Sequence, residues 1–222
     1  GSIVNGTIME VDAKVATIDA QTLTVEPQHV EQVGTAASLP PLYLLVGILK
    51  GERHDWLIEK ATELGAARIS VIDVATREEA LDPGLAGPLD DATGVFLGGG
   101  NQVKITTLLG GTPLATAIRR CHARGAVIGG TSAGASVLSQ HMIAFGRSGG
   151  APEQRMVSLS PGLGLTNRLV IDQHFRQRDR LGRLMSAVAI NPFLIGVGVD
   201  EDTAIVLSHD NMFYDSCTVA LS

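Results

Sequence analysis

Ala126-Val127-Ile128-Gly129-Gly130-Thr131-Ser132-Ala133-Gly134-Ala135-Ser136-Val137-Leu138 decides how the chain is read. A short apolar strand meets a glycine corner, and a helix-compatible run starts at once. Gly130-Thr131-Ser132-Ala133-Gly134 fits G-x-S-x-G, the nucleophile elbow. The spacing has a physical reason. A serine on a sharp strand-to-helix turn needs small residues two positions either side, so that neighbouring backbone can pass. Its hydroxyl then projects above the carboxyl end of a sheet. There the Ala133 N–H and the positive end of the following helix face developing negative charge. A polar loop closing a βα unit is the plain alternative, but strand-then-helix flanks are the context the motif requires. Ser132 reads as a catalytic serine.

Outward from this stretch, composition narrows the classes. The 222 residues are 45% hydrophobic with 26 glycines, enough for one sizeable core and many βα turns. A net charge of −6 argues against nucleic acid as a partner. Cys121 and Cys217 make no CxxC or metal-spaced cluster, so a reducing compartment fits, and neither a metal nor a cofactor is expected of this chain. No apolar run approaches the roughly 20 residues of a membrane span and no signal peptide is visible, so a cytoplasmic location is expected. Gly1-Ser2 reads as a cloning remnant.

Residues 3–40 alternate loosely in short β-rich runs, expected as strands or an extended arm, and Thr35–Pro41 reads as a linker. From Leu42 the pattern changes to strand, helix, strand, so residues 41–222 are expected to form one α/β domain. Leu42–Ile48 is an apolar strand, Arg53–Leu64 a helix and Arg68–Asp73 the next strand. Thr76–Ala80 opens a short helix. Gly94–Leu97 is a strand running into Gly98-Gly99-Gly100-Asn101-Gln102, which lacks the third glycine of a dinucleotide loop and any Walker lysine. Its glycines suit close backbone approach to a reacting group, so a Gly99 or Gly100 N–H is the expected partner of Ala133 in an oxyanion hole. Thr112-Pro113 caps a helix to about Ala123.

Phe145–Gly164 is glycine- and proline-rich, and reads as either a flap or an ordinary connection. Leu169–Phe175 is an apolar strand turning polar, Gln177–Ala189 a helix, and Leu194–Val199 a strand leading into Asp200-Glu201-Asp202-Thr203. Ala204–Leu207 and Cys217–Leu221 read as a closing antiparallel pair. The alternation implies an α/β fold, a mainly parallel sheet with helices on both faces. In such sheets ligands bind at the strands' carboxyl ends, where Gly98 to Gln102, Ser132, Asp172 to His174 and Asp200 to Asp202 fall, on four separate strands.

Of six histidines, His174 alone sits at such a strand end. It is the expected base for Ser132, oriented by an acid of the 200–202 trio. The order Ser, His, acid differs from the α/β-hydrolase order, which points to convergent chemistry on another sheet family. Arg176, Arg180 and Arg183 would share a face of the helix expected there, either solvated or turned to substrate carboxylates. Asp172 could hold a cationic side chain.

Gly130–Ala135, Asp172-Gln173-His174-Phe175 with Arg178–Leu184, and Val199–Ala204 together resemble the cyanophycinases. These are serine exopeptidases related to the α-aspartyl dipeptidases, on a fold like the class I glutamine amidotransferases. The similarity runs from about Gly65 to the carboxyl terminus. It implies a triad of Ser132, His174 and Glu201, and release of β-aspartyl-arginine dipeptides from multi-arginyl polyaspartate. It implies substrate-pocket roles for Gln102, Asp172, Gln173, Arg178, Arg180 and Arg183, and a homodimer. An aspartyl dipeptidase is the second activity in line.

Leu44–Gly65 is instead similar to ribosomal-RNA uridine methyltransferases of the knotted SPOUT class, near the junction of their small barrel and catalytic domain. On that resemblance the chain reads as a chimera, with residues 3–40 barrel-derived. Nothing matches the knot that binds S-adenosylmethionine, so methyl transfer is not expected. A foreign first unit leaves a third alternative, a folded scaffold whose triad is misaligned.

Overall fold

The computed structural model describes residues 2–4, 7–18, 22–33, 42–47, 52–63, 66–207 and 213–214. The first strands are β1 (Ser2–Val4), β2 (Thr7–Ile18), β3 (Thr22–Val33) and β4 (Leu42–Gly47), followed by helix α1 (Glu52–Glu63) and β5 (Ala66–Ile72). Next come the single turn α2 (Arg77–Ala80), a 3₁₀ turn over Pro83–Leu89, and β6 (Gly94–Leu97). Helices α3 (Gln102–Leu109) and α4 (Pro113–Ala123) precede β7 (Val127–Gly130), which leads into the one-turn α5 (Ala133–Ser136). Strands β8 (His141–Gly146), β9 (Val157–Pro161) and β10 (Leu169–Gln173) are followed by α6 (Leu181–Ile190), β11 (Ile195–Val199), β12 (Val206–Leu207) and β13 (Phe213–Tyr214).

The expected α/β class is the one observed. Strand β4 pairs in parallel with both β5 and β6, and β10 pairs in parallel with β11. The β-rich first segment forms strands that extend the same sheet. β1, β2 and β3 run antiparallel to one another, and β3 joins β5 antiparallel through Thr22–Thr24. The resulting order is β1-β2-β3-β5-β4-β6-β7. The expected linker, and the expected strand at Cys217–Leu221, lie outside the described residues; Val206–Leu207 pairs antiparallel with Phe213–Tyr214.

The chain divides into two compact units, Gly1–Gly98 with Gly111–Gly129, and Gly99–Gly110 with Gly130–Ser222. In the first unit Ala61, Ala66 and Ile69 are buried, with Leu57, Ile58 and Phe96 packed against them. Helix α4 starts as its sequence demands: Thr112 Oγ1 accepts from the Ala115 N–H, and Pro113 occupies a position that needs no hydrogen bond. In the second unit the core is Ile143, Val157, Val170, Leu184, Ala187 and Leu194, with Leu159, Phe175 and Val188 around it. Every residue of β10 is buried, the pattern of a strand covered on both faces.

Three elements differ from the sequence reading. Helix α3 starts where only a loop was expected, because Asn101 Oδ1 accepts from the Lys104 N–H and caps it. The glycine-rich Phe145–Gly164, read as a flap or an ordinary connection, holds the end of β8 and the whole of β9, an antiparallel pair, with residues 147–156 connecting them. The helix expected from Gln177 begins only at Leu181. His174 and Asp179 adopt positive φ, 48° and 47°, and fold residues 174–179 into a turn. Arg176, Arg180 and Arg183 therefore do not share a helix face. Arg176 is exposed, whereas Arg180 and Arg183 are buried.

Candidate active site

Strand β7 carries the chain into the elbow. Ser132 has φ 53° and ψ −119°, a backbone region that costs a non-glycine residue roughly 1–3 kcal/mol and persists only where its surroundings enforce it. The enforcement is visible at Gly130. A Cβ there would lie 2.4 Å from both C and O of Gly134 and 2.8 Å from N of Ala135. Only glycine lets the helix start fold back this closely. Gly99 is close to the serine but less crowded, since its Cβ would stand 3.3 Å from Ser132 Cβ and 3.8 Å from Oγ.

Ser132 Oγ lies 3.1 Å from Nε2 of His174, and His174 Nδ1 lies 2.7 Å from Oε1 of Glu201. A carboxylate only accepts, so Nδ1 carries the proton and Nε2 presents its lone pair to the serine hydroxyl. Gln173 Oε1 is a second acceptor for that hydroxyl at 3.5 Å. Of the acidic trio, Glu201 is the member in contact with His174; Asp200 accepts instead from the Arg176 N–H.

The oxyanion-hole candidates are also placed. Ala133 follows the serine and is fully buried, Gly99 packs on Ser132, and Gly100 takes φ +129°, open to glycine but not to other residues. The helix expected to follow the serine is α5, which spans only four residues, so its summed dipole is small. Stabilisation of negative charge here would fall to individual N–H groups rather than to a summed helix dipole.

The residues implied for the substrate pocket separate into two groups. Asp172, Arg180 and Arg183 are buried, 1%, 7% and 6% exposed, and bind one another. Arg183 donates from Nε to Asp172 Oδ2 at 2.6 Å and from Nη2 to Oδ1. Arg180 Nη1 donates to Asp172 Oδ1 at 3.3 Å and to the backbone oxygen of Gln173, the residue preceding His174. One carboxylate thus serves two guanidinium groups. Burial and the neighbouring Arg183 push the Arg180 pKa down, while Asp172 pulls it back up. Arg180 Nε has no hydrogen-bond partner. Gln173 turns to Ser132, Arg178 is exposed beside the histidine turn, and Gln102 Nε2 donates to the carbonyls of Ile143 and Ala144 at 3.1 and 3.2 Å. Sequence reasoning missed Gln177, whose Oε1 accepts from the Glu201 N–H at 3.2 Å. No spacing signal marks it.

Among the described residues no helix is long and apolar enough to cross a membrane. Residues 52–214 match peptidase family S51. The cyanophycinase of Trichormus variabilis is 42% identical over 150 residues, covering 67% of this chain and 50% of that protein. The cyanophycinase of Geminocystis herdmanii is 41% identical over 150 residues, covering 67% of this chain and 55% of that protein. The chain spans about half the length of these curated relatives. A crystal structure of a peptidase from an acI-B1 actinobacterium is similar with TM-score 0.54 and 23% identity, over 79% of this chain and 70% of that one, a likeness of fold. The family match begins at the first residue of α1, inside the stretch Leu44–Gly65. With two cyanophycinases above 40% identity across two thirds of its length and the family matched over residues 52–214, this chain belongs to peptidase family S51.

Proposed function

We propose that the chain is a serine peptidase of cyanophycinase type, hydrolysing multi-arginyl polyaspartate to β-aspartyl-arginine dipeptides. The single observation carrying this reading is the unbroken line of contacts from Ser132 Oγ through the His174 ring to Glu201, at 3.1 and 2.7 Å. In the reaction, Ser132 Oγ attacks the scissile carbonyl carbon while Nε2 of His174 takes the hydroxyl proton. Glu201 holds the ring in the required tautomer and balances the imidazolium that forms. The oxyanion accepts hydrogen bonds from the Ala133 N–H and a Gly99 or Gly100 N–H. Collapse releases the amine, which leaves with the proton from His174, and water then cleaves the acyl-enzyme by the same relay.

The substrate class is supported by likeness to the cyanophycinases and by the residues near the serine. Gln173 and Arg178 would contact the aspartyl-arginine unit, while the buried Asp172–Arg180–Arg183 cluster holds the strand end that carries Gln173 and His174. The chain is expected to act as a homodimer, which sedimentation measures.

The test is incubation of purified protein with multi-arginyl polyaspartate, following dipeptide release, beside Ser132→Ala. Release by the parent alone supports the reading. A folded parent that neither releases dipeptide nor reacts with a serine-directed phosphonate would sink it.

A further inference from the structure

Strands β10 and β11 pair in parallel as far as Gln173 and Val199, and the candidate base and acid lie just past that last pair. Beyond it each backbone leaves the strand for a turn of its own. Three hydrogen bonds nonetheless continue across the gap. The Phe175 N–H donates to the Val199 carbonyl at 3.1 Å. The Arg176 N–H donates to Asp200 Oδ1 at 2.8 Å, and the Glu201 N–H donates to Gln177 Oε1 at 3.2 Å. The last two are reciprocal: each turn supplies one side-chain acceptor to the other's backbone donor. Side chains have taken over the ladder where the backbone carbonyls no longer reach.

The position of this interlock matters because the backbone around it is strained. His174 has φ 48° and Asp202 has φ 55°, both left-handed and neither glycine. Such residues hold only where surrounding contacts over-determine them. Glu201 is half-exposed and His174 a quarter exposed, so packing alone does not fix their side chains. An exposed contact is readily exchanged for water unless its two backbones are held at a set distance.

We propose that Asp200 and Gln177 are positioning residues that lock the His174 turn to the Glu201 loop and so set the His174–Glu201 contact. The proposal rests on the triad reading given above. Asp200 acts here through its Oδ1 as an acceptor, not through its charge. Its other interaction, Oδ2 with Arg176 Nε at 3.6 Å, involves a largely exposed guanidinium and contributes little.

The full chain is compared with Asp200→Ala, Asp200→Asn, Gln177→Met and Gln177→Glu, reading kcat and KM on multi-arginyl polyaspartate. The low-field proton resonance of His174 Nδ1–H is read alongside. Asp200→Ala and Gln177→Met are expected to lower kcat by about tenfold to a hundredfold with KM little changed, the size of effect a small misplacement of reacting groups produces. They are also expected to lose the resonance. Asp200→Asn and Gln177→Glu keep an acceptor oxygen and should restore both readouts to near the parent. Unchanged kcat and resonance in Asp200→Ala and Gln177→Met would overturn the proposal. So would an equal loss in Asp200→Asn, which would assign the effect to charge, or a raised KM at constant kcat, which would assign it to substrate binding. If the parent hydrolyses nothing, the functional reading fails, and the resonance alone still decides the interlock. If Asp200→Ala does not fold, Gln177→Met carries the same decision.

Discussion

His174 Nδ1 and Glu201 Oε1 meet at 2.7 Å across 27 residues of chain, with the glutamate half-exposed. Water competes for a carboxylate so placed, so the contact orients the imidazole more than it stabilises the fold. Glu201→Gln puts an amide donor within reach of Nδ1 and favours the wrong tautomer. We expect kcat to fall by about 10²–10⁴-fold with a small change in KM, read from initial rates. An unaltered kcat would exclude Glu201 as the orienting acid.

Gly130 is the residue on which the elbow turns. Adding one methyl group there drives Cβ to 2.4 Å from Gly134 backbone, and no side-chain rotation can relieve a backbone clash. Gly130→Ala is expected to destabilise the protein by more than about 2 kcal/mol, the range of steric and backbone-strain mechanisms. Urea unfolding measures this, and a midpoint equal to the parent's would contradict the geometry.

Asp172 balances two guanidinium groups inside the second unit. Removing it leaves buried positive charge without a counterion, for which about 3–5 kcal/mol is expected. Asp172→Ala should therefore destabilise strongly. Arg183→Met should do so less, because Asp172 keeps Arg180 at 3.3 Å and the methionine fills part of the volume. Chemical denaturation of the two variants gives the order directly, and the reverse order would refute it.

Arg68 and Asp91 form an ion pair in the first unit, and the Arg68 guanidinium holds the Asp91 carboxyl below its ordinary 3.8. Because the folded-state pKa is the lower one, the unfolded chain binds the proton first as pH falls. The pair's contribution is whole above the ordinary value and disappears as pH drops through the depressed one. Asp91 is more than half exposed, so the contribution is below about 1 kcal/mol. Asp91→Asn should lower the melting temperature slightly at neutral pH, and by progressively less as the pH falls below 3.8, in low salt. A difference that grows on acidification would have the wrong sign.

The elbow's turn was legible in the sequence because its geometry is local: the spacing of Gly130, Ser132 and Gly134 marks a tight corner, and the apolar run before them marks the strand. The place of His174 at a strand end was legible too, and the alternating pattern after Leu42 announced the α/β class. The arginine run was not. Apart from Asp179, Arg176-Gln177-Arg178-Asp179-Arg180 is made of residues that favour helix, and its arginines fall at spacings that suit one face. What breaks it is a left-handed Asp179, together with the attraction of Arg180 and Arg183 to Asp172, and neither can be seen without the third dimension. The β8–β9 pair was hidden by the glycines and prolines of its connection. Helix α3 was hidden by the glycines just before its cap.

Gly196 and Gly198 lie on one face of β11, two residues apart. A Cβ at Gly196 would stand 2.9 Å from Val188 Cγ2 and 3.0 Å from Leu184 Cγ, both on α6. A Cβ at Gly198 would stand 2.5 Å from the Phe175 ring, next to the candidate base. The same bare strip thus seats both a core helix and the turn carrying His174. Opening that strip would release both together, so they form one cooperative unit in the sense of native-state exchange. The amide of Phe175, bonded to Val199, is then expected to exchange at the pace of the α6 amides rather than at that of a surface loop, which hydrogen exchange measures. The turn that places His174 beside Ser132 lasts as long as that helix stays seated.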